Sequence, residues 1–228
     1  FANSSIYNRN VTNTVSQRAQ LWFANWSAPL KDFNQLVFRE DFSPRTLVDY
    51  LVDRQPCYFF YRNGGFVSAE GRTFGDLLDH PESRPPGFVG APTISDFANV
   101  LGTVFSQVKI KPKGVLEFRG ADGSYELRHA LSALAVGLFY DADNLRAVHQ
   151  LVTGWSQDER TIMEVAARTT GLNAPFTSNL SIRNVAQKLV EQAVSGLQRR
   201  GLGEESLLNP LLQIARGEAP TPAEAFRL

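Results

Sequence analysis

Leu116-Glu117-Phe118-Arg119-Gly120-Ala121-Asp122 divides this chain into two kinds of sequence. Leu116 to Arg119 alternates apolar and charged residues, the period of a β-strand, so Leu116 and Phe118 share one face and Glu117 and Arg119 the other. The expectation is that Leu116 and Phe118 face a core. Upstream, Val108 and Ile110 alternate with Lys109 and Lys111 in a matching strand, and Pro112 and Gly114 interrupt the pair. Downstream of Asp122-Gly123 the periodicity changes from two to that of helices. The predicted class is therefore α+β, with a mixed sheet–helix first half and a helical second half.

Working outward, local signals place the other elements. Ser43-Pro44 is an N-cap followed by the first helical residue of a helix to about Arg54. Asn63-Gly64-Gly65 joins two apolar runs as a hairpin, because Asn-Gly tolerates positive φ. Thr73 to His80 reads as a short helix, Pro81 to Pro92 as a loop, and Thr93 with Asp96 as a capping box for a helix ending near Phe105. Arg128 to Tyr140 is apolar nearly all round and predicts a buried helix. Helices follow over Asp143–Trp155, after the Ser156–Glu159 capping box, and over Ser181–Arg200, where Gly201 suits the C′ position. Thr221-Pro222-Ala223-Glu224 caps a last short turn.

The 228 residues carry 23 basic and 23 acidic side chains. A zero net charge argues against a broad nucleic-acid surface, and no apolar run approaches the roughly 20 residues of a membrane span. The single cysteine, Cys57, excludes an internal disulfide and a zinc cluster, and its apolar surroundings predict an inert thiol. His80, His129 and His149 lack metal-ligand spacing. Asp49 and Asp53 read as a solvated helix face. The chain opens on Phe1 and has Met163 as its one methionine, so it is expected to be a piece of something longer.

Glu117 and Arg119 suit a metal-bound polyphosphate: a carboxylate for a hard cation, a guanidinium fork for phosphate oxygens. Lys109, Lys111 and Lys113 add positive charge beside them. The same residues also read as a surface ion pair on a solvated strand.

Taken together, Phe1-Ala2-Asn3-Ser4, Arg18 with Trp22, Val48-Asp49-Tyr50, Pro56 to Arg62, Gly71 to Phe74, Leu116 to Asp122, Val136 to Asp141, Gly171-Leu172 with Ala174-Pro175-Phe176, Gly196-Leu197 with Arg199-Arg200, and Thr221 to Glu224 resemble the plant-type glutamate–cysteine ligases. That family also occurs in bacteria and is a branch of the glutamine synthetase-like carboxylate–amine ligases. The matching pieces correspond to its C-terminal half. The resemblance implies that residues 1–125 are the C-terminal part of a catalytic antiparallel sheet domain and residues 126–228 a helical region packed on it. It implies ATP-dependent ligation of L-glutamate, through γ-glutamyl phosphate, to L-cysteine, the first step of glutathione synthesis. Carried over, Glu117 is a metal ligand for Mg²⁺. Arg119 is a catalytic phosphate contact, and Lys109 and Lys111 lie on the ATP side. Arg18, Trp22 and Tyr58 bind glutamate. The missing N-terminal half is the implied partner, and the cytoplasm, or the plastid in a plant, the implied location. Gly123 to Arg128 departs from the family's usual Gly-Pro-Trp-Arg-Arg, which leaves the amine acceptor open. Ala69 stands near the position of a plant cysteine that takes part in a redox disulfide. A ligase with another acceptor and a non-catalytic ligase-like binding subunit remain alternatives.

Overall fold

The computed structural model describes residues 15, 16, 18–20, 33, 35–104, 106–111, 113–177 and 179–225. Phe1 to Ser4 and Trp22, singled out above, lie outside them. The polypeptide divides into two compact units, Phe23–Arg119 and a second formed by Phe1–Trp22 with Gly120–Leu228. The class is α+β, and the described strands pair as three two-stranded antiparallel hairpins. Among the described residues no helix is long and apolar enough to cross a membrane.

In the unit Phe23–Arg119, helix α1 (Pro44–Asp53) is started by a reciprocal capping box between Ser43 and Thr46. Strands β1 (Phe59–Arg62) and β2 (Gly65–Ser68) form the hairpin expected at Asn63-Gly64, where both turn residues take positive φ, 51° and 79°. Helices α2 (Phe74–Asp79) and α3 (Ile94–Gly102) each start at a threonine whose hydroxyl is paired with an aspartate three residues on. Helix α3 stops short of the expected Phe105, with Thr103 as its cap. Phe60, buried completely, packs with Cys57, Phe74, Leu77, Phe88 and Val100. A neighbouring cluster gathers Phe33, Leu36, Leu47, Tyr50 and Leu51.

One ion pair ties this unit together. Both guanidinium nitrogens of Arg62 donate to the two carboxylate oxygens of Asp96, and the guanidinium lies 4.4 Å above the Phe88 ring. Burial works to raise the Asp96 carboxyl, but Arg62 and the Thr93 donors outweigh it and hold the group below its ordinary value of 3.8. A lowered folded-state pKa contributes stability that is complete above the unfolded value and is lost as pH falls through the folded one. Acid unfolding is therefore expected to begin below about pH 4. Asp96→Asn should cost about 3 kcal/mol at neutral pH, because it leaves the Arg62 guanidinium inside without its counter-charge. Urea midpoints at pH 7 and pH 3.5 check both statements: the variant should lose less than the parent on acidification.

The last elements of this unit are β3 (Val108–Lys111) and β4 (Val115–Phe118), paired so that Lys109 faces Glu117 and Ile110 faces Leu116. The alternation is as expected, but the burial is not: on the face of Leu116 and Phe118, Ile110 packs against the core while those two do not. Leu116 and Phe118 are 58% and 50% exposed, whereas Lys109 is buried at 6%. Lys109 donates its ammonium to the carbonyl of Gly102 at the C-terminal end of α3. That carbonyl lies at the negative end of the helix dipole, so a lysine can bury its stem there and keep its charge satisfied.

The second unit is built on helix α4 (Arg128–Phe139), α5 (Ala142–Thr153), α6 (Gln157–Thr169), β5 (Pro175–Thr177), β6 (Leu180–Ser181), α7 (Ile182–Arg200), α8 (Asn209–Arg216) and the short α9 (Pro222–Ala225). Capping boxes start α6 and α7, and Gly201 closes α7 at φ 68°. Helix α4 is not buried all round: Ala130, Ala133, Leu134 and Leu138 face inward, while Arg128, His129 and Tyr140 are exposed. It packs along α7 through glycine. The hydrogens of Gly137 and Gly196 point at each other's helices, and a Cβ at Gly196 would lie 2.2 Å from the Gly137 carbonyl oxygen. The Asn144 amide bridges the Gly137 and Gln192 carbonyls across the same contact.

Candidate functional site

The β3–β4 hairpin places four charged side chains on one face. Direct pairing of Lys109 with Glu117 puts both on the same side, and Lys111 and Arg119 join them by the two-residue period of the strands. Arg119 extends the ladder by donating its backbone N–H to the Gln107 carbonyl at 2.8 Å. Glu117 Oε2 lies 2.7 Å from Lys111 Nζ, and Oε1 lies 3.8 Å from Arg119 Nε. Lys111 above all, then Arg119 and Lys109, hold the Glu117 carboxyl below its ordinary range. Burial, with Lys111 and Arg119 nearby, pulls the Lys109 ammonium down. Among the described residues, three cations and one carboxylate share this face. An electrostatic site of that composition attracts a multiply charged anion.

The Glu117 side chain is half exposed, but its Oε2 is covered where it meets Lys111. Among the described residues no group of three or more histidine, cysteine, aspartate or glutamate side chains could hold a metal ion. The donor set therefore fits a magnesium ion only as one carboxylate beside substrate phosphates, which is how that ion is commonly held.

Arg18 belongs to the other unit. Its Nη1 lies 3.7 Å from Oδ1 of Asp122, whose side chain is buried while that of Arg18 is 40% exposed. Asp122 closes the Gly-Ala-Asp turn, and its closeness to Arg18 depends on tertiary contact that local sequence does not show. Tyr58 is half-buried just before β1, where burial raises its hydroxyl pKa. Cys57, next to it, is 1% exposed, and burial pushes its thiol up to about 12, which removes it as a nucleophile. Asp49 pairs with Arg45 on the surface of α1, as a solvated face requires.

Several paired segments meet in space. Asp141 caps α5 and receives two hydrogen bonds from the Arg199 guanidinium, both at 2.8 Å, which with the Asn144 N–H drive its carboxyl far down. Thr221 and Glu224 cap α9 reciprocally, and Glu224 also accepts from Asn173. These contacts join Val136–Asp141 to Gly196–Arg200 and the Gly171 turn to the C-terminal turn.

Residues 1–226 match glutamate-cysteine ligase family 2. The chain is 35% identical over 227 residues to the chloroplastic glutamate–cysteine ligase of Nicotiana tabacum, and 36% and 34% identical over 225 residues to those of Brassica juncea and Arabidopsis thaliana. Each comparison covers 98% of this chain and 42% of the relative, so the chain spans less than half the length of these relatives. With a match that runs nearly from end to end, the chain belongs to glutamate-cysteine ligase family 2.

Proposed function

We propose that this chain forms the C-terminal part of an ATP-dependent ligase that joins L-glutamate to L-cysteine. The observation that carries the reading is the charged face of the β3–β4 hairpin in a chain that matches the family along its length. Residues 1–125 would complete a glutamine synthetase-like antiparallel sheet with the part of the family that this chain does not span. An oxygen of the glutamate γ-carboxylate attacks the terminal phosphorus of ATP, and ADP leaves. The cysteine amine then attacks the acyl carbon of γ-glutamyl phosphate, the C–O bond to phosphate breaks, and the amine proton is lost to solvent. Arg119 and Lys111 hold phosphate oxygens, and Lys109 supports them from its anchored position. Glu117 would give one carboxylate to a magnesium ion, which when bound would neutralise charge on the phosphates. Arg18 forks onto a carboxylate of glutamate, the substrate to which the family resemblance also assigns Tyr58 and Trp22.

A ligase with a different amine acceptor is the second reading. It is favoured by Gly123 to Arg128, where Arg128 stacks 4.0 Å over the Tyr125 ring instead of presenting the family's Gly-Pro-Trp-Arg-Arg. Phosphate release by the complete enzyme with ATP, glutamate and a panel of amines separates the two. The highest kcat/KM is expected for cysteine, a clear preference for another amine supports the second reading, and no turnover with any amine would leave only a binding role.

Arg18→Lys in the complete enzyme is expected to raise KM for glutamate more than about tenfold and leave KM for ATP nearly unchanged. Lysine keeps the charge and loses the planar fork, and a charge-assisted hydrogen bond is worth about 1.5–3 kcal/mol. Steady-state kinetics with each substrate varied check this; unchanged glutamate kinetics would make Arg18 only a partner of Asp122.

A further inference from the structure

Arg18 is held in two ways by buried charged residues of its own unit. The first hold is on its backbone. Residues 18–20 are helical, and Ser16, completely buried, starts that turn by accepting the Ala19 N–H at its hydroxyl. The carbonyl of Arg168 lies in the last turn of α6, where helical carbonyls have no partner within their own helix. It accepts the backbone N–H groups of Val15 and Ser16 at 3.0 and 3.2 Å. The Arg168 side chain reaches the other end of the same turn and donates its Nε to Oε1 of Gln20 at 3.0 Å. Arg168 is 7% exposed. One buried residue of α6 therefore grips the chain both before and after Arg18.

The second hold is on the guanidinium. Nη1 of Arg18 lies 3.7 Å from Oδ1 of Asp122. The Asp122 side chain is 3% exposed and that of Arg18 40%, so the anion is fixed inside while the cation reaches toward solvent. A guanidinium is planar, and drawing one of its nitrogens to a buried carboxylate orients the plane in which its fork meets a second carboxylate. A long side chain whose rotamers are already restricted loses less freedom when it binds a ligand.

We propose that Asp122 and Arg168 are positioning residues for Arg18, acting on the substrate carboxylate only through it. The proposal rests on the reading of Arg18 as a glutamate contact.

In the complete enzyme, Asp122→Asn is expected to raise KM for glutamate about three- to tenfold, the range set by ordering one long side chain, and to leave kcat and KM for ATP within about twofold. Gln20→Ala, which removes the acceptor of Arg168 at a partly exposed position, should raise KM for glutamate by about twofold or more. A merely structural role would lower kcat through loss of folded enzyme and leave both KM values where they were. In an Arg18→Lys background Asp122→Asn should add less than about twofold, because coupled residues are not additive. If Arg18→Lys alone leaves KM for glutamate unchanged, the reading of Arg18 fails and the proposal with it. If Arg18→Lys raises that KM while Asp122→Asn leaves it unchanged or lowers it, only the proposal fails; a fall would mean that Asp122 competes with the substrate for Arg18. An equal effect of Asp122→Asn in both backgrounds also overturns it, as do unchanged glutamate kinetics in Gln20→Ala. Should Asp122→Asn fail to fold, Gln20→Ala with and without Arg18→Lys decides alone.

Discussion

Glu117→Gln in the complete enzyme is expected to lower kcat by about a hundredfold or more while leaving the melting temperature nearly unchanged. Glutamine has almost the same shape, and the Glu117 side chain is half exposed, so little packing is at stake. What is lost is the negative charge. A hard cation beside phosphates needs that charge, and removing one preorganised electrostatic contact at a reacting centre typically costs 10²–10³ in kcat. Raised magnesium should restore activity only in part. The carboxyl is held below its ordinary range by Lys111, with Arg119 and Lys109 behind it. It stays ionised at neutral pH, and no limb of the pH–rate profile near neutrality should belong to it. Normal turnover with a slightly lowered melting temperature would show that Glu117 is only the ion-pair partner of Lys111 and Arg119. Measuring kcat across a magnesium series alongside thermal melts separates the cases.

Gly196→Ala is expected to destabilise the helical unit by about 3 kcal/mol or more, over a hundredfold in the folded-to-unfolded ratio. The added Cβ would stand 2.2 Å from the Gly137 carbonyl oxygen and 2.5 Å from the Asn144 amide nitrogen. The first of these is backbone of α4, which cannot rotate away as a side chain can. Moving the helices apart would also break the Asn144 bridge to the Gly137 and Gln192 carbonyls. Gly154→Ala is the control. Its Cβ would meet nothing nearer than 3.7 Å, at φ −70°, so it should be neutral or slightly stabilising. Urea unfolding of the two variants tests the pair; equal midpoints would mean that α4 and α7 are not packed through their glycines.

Gly137 and Gly196 also show how far a sequence can be read. Both stand in segments that carry the family resemblance, yet nothing in either segment says that the two touch. Glycine inside a helix reads locally as a weakness of about 1 kcal/mol against alanine. Only the crossing of α4 and α7 turns it into a requirement. Asp141 and Arg199 are a similar case: each looks like an ordinary helix-end charge until the same crossing brings them within hydrogen-bond distance. The strands Pro175–Thr177 and Leu180–Ser181 and the helix Asn209–Arg216 were not foreseen. The first two are too short to show a period, and the third holds Pro210 beside its start.

The sequence by itself determined the local features of this protein. Ser43, Thr73, Thr93, Ser156, Ser181 and Thr221 cap helices because a hydroxyl can satisfy an N–H three residues on, whatever the rest of the chain does. Asn63-Gly64 turns because those residues accept positive φ. The alternation in Val108–Lys111 and Leu116–Arg119 likewise determined that Lys109, Lys111, Glu117 and Arg119 share one face. Which side chains of either face are buried was decided only by tertiary structure. Lys109 is drawn in because the C-terminal carbonyl of α3 lies within its reach, and on the other face Ile110 packs against the core while Leu116 and Phe118 do not. The pairing of Asp122 with Arg18 arises in the same way, from segments distant in the chain. Alternation and capping are properties of a few consecutive residues, whereas burial and charge pairing depend on which distant groups the closed chain brings together.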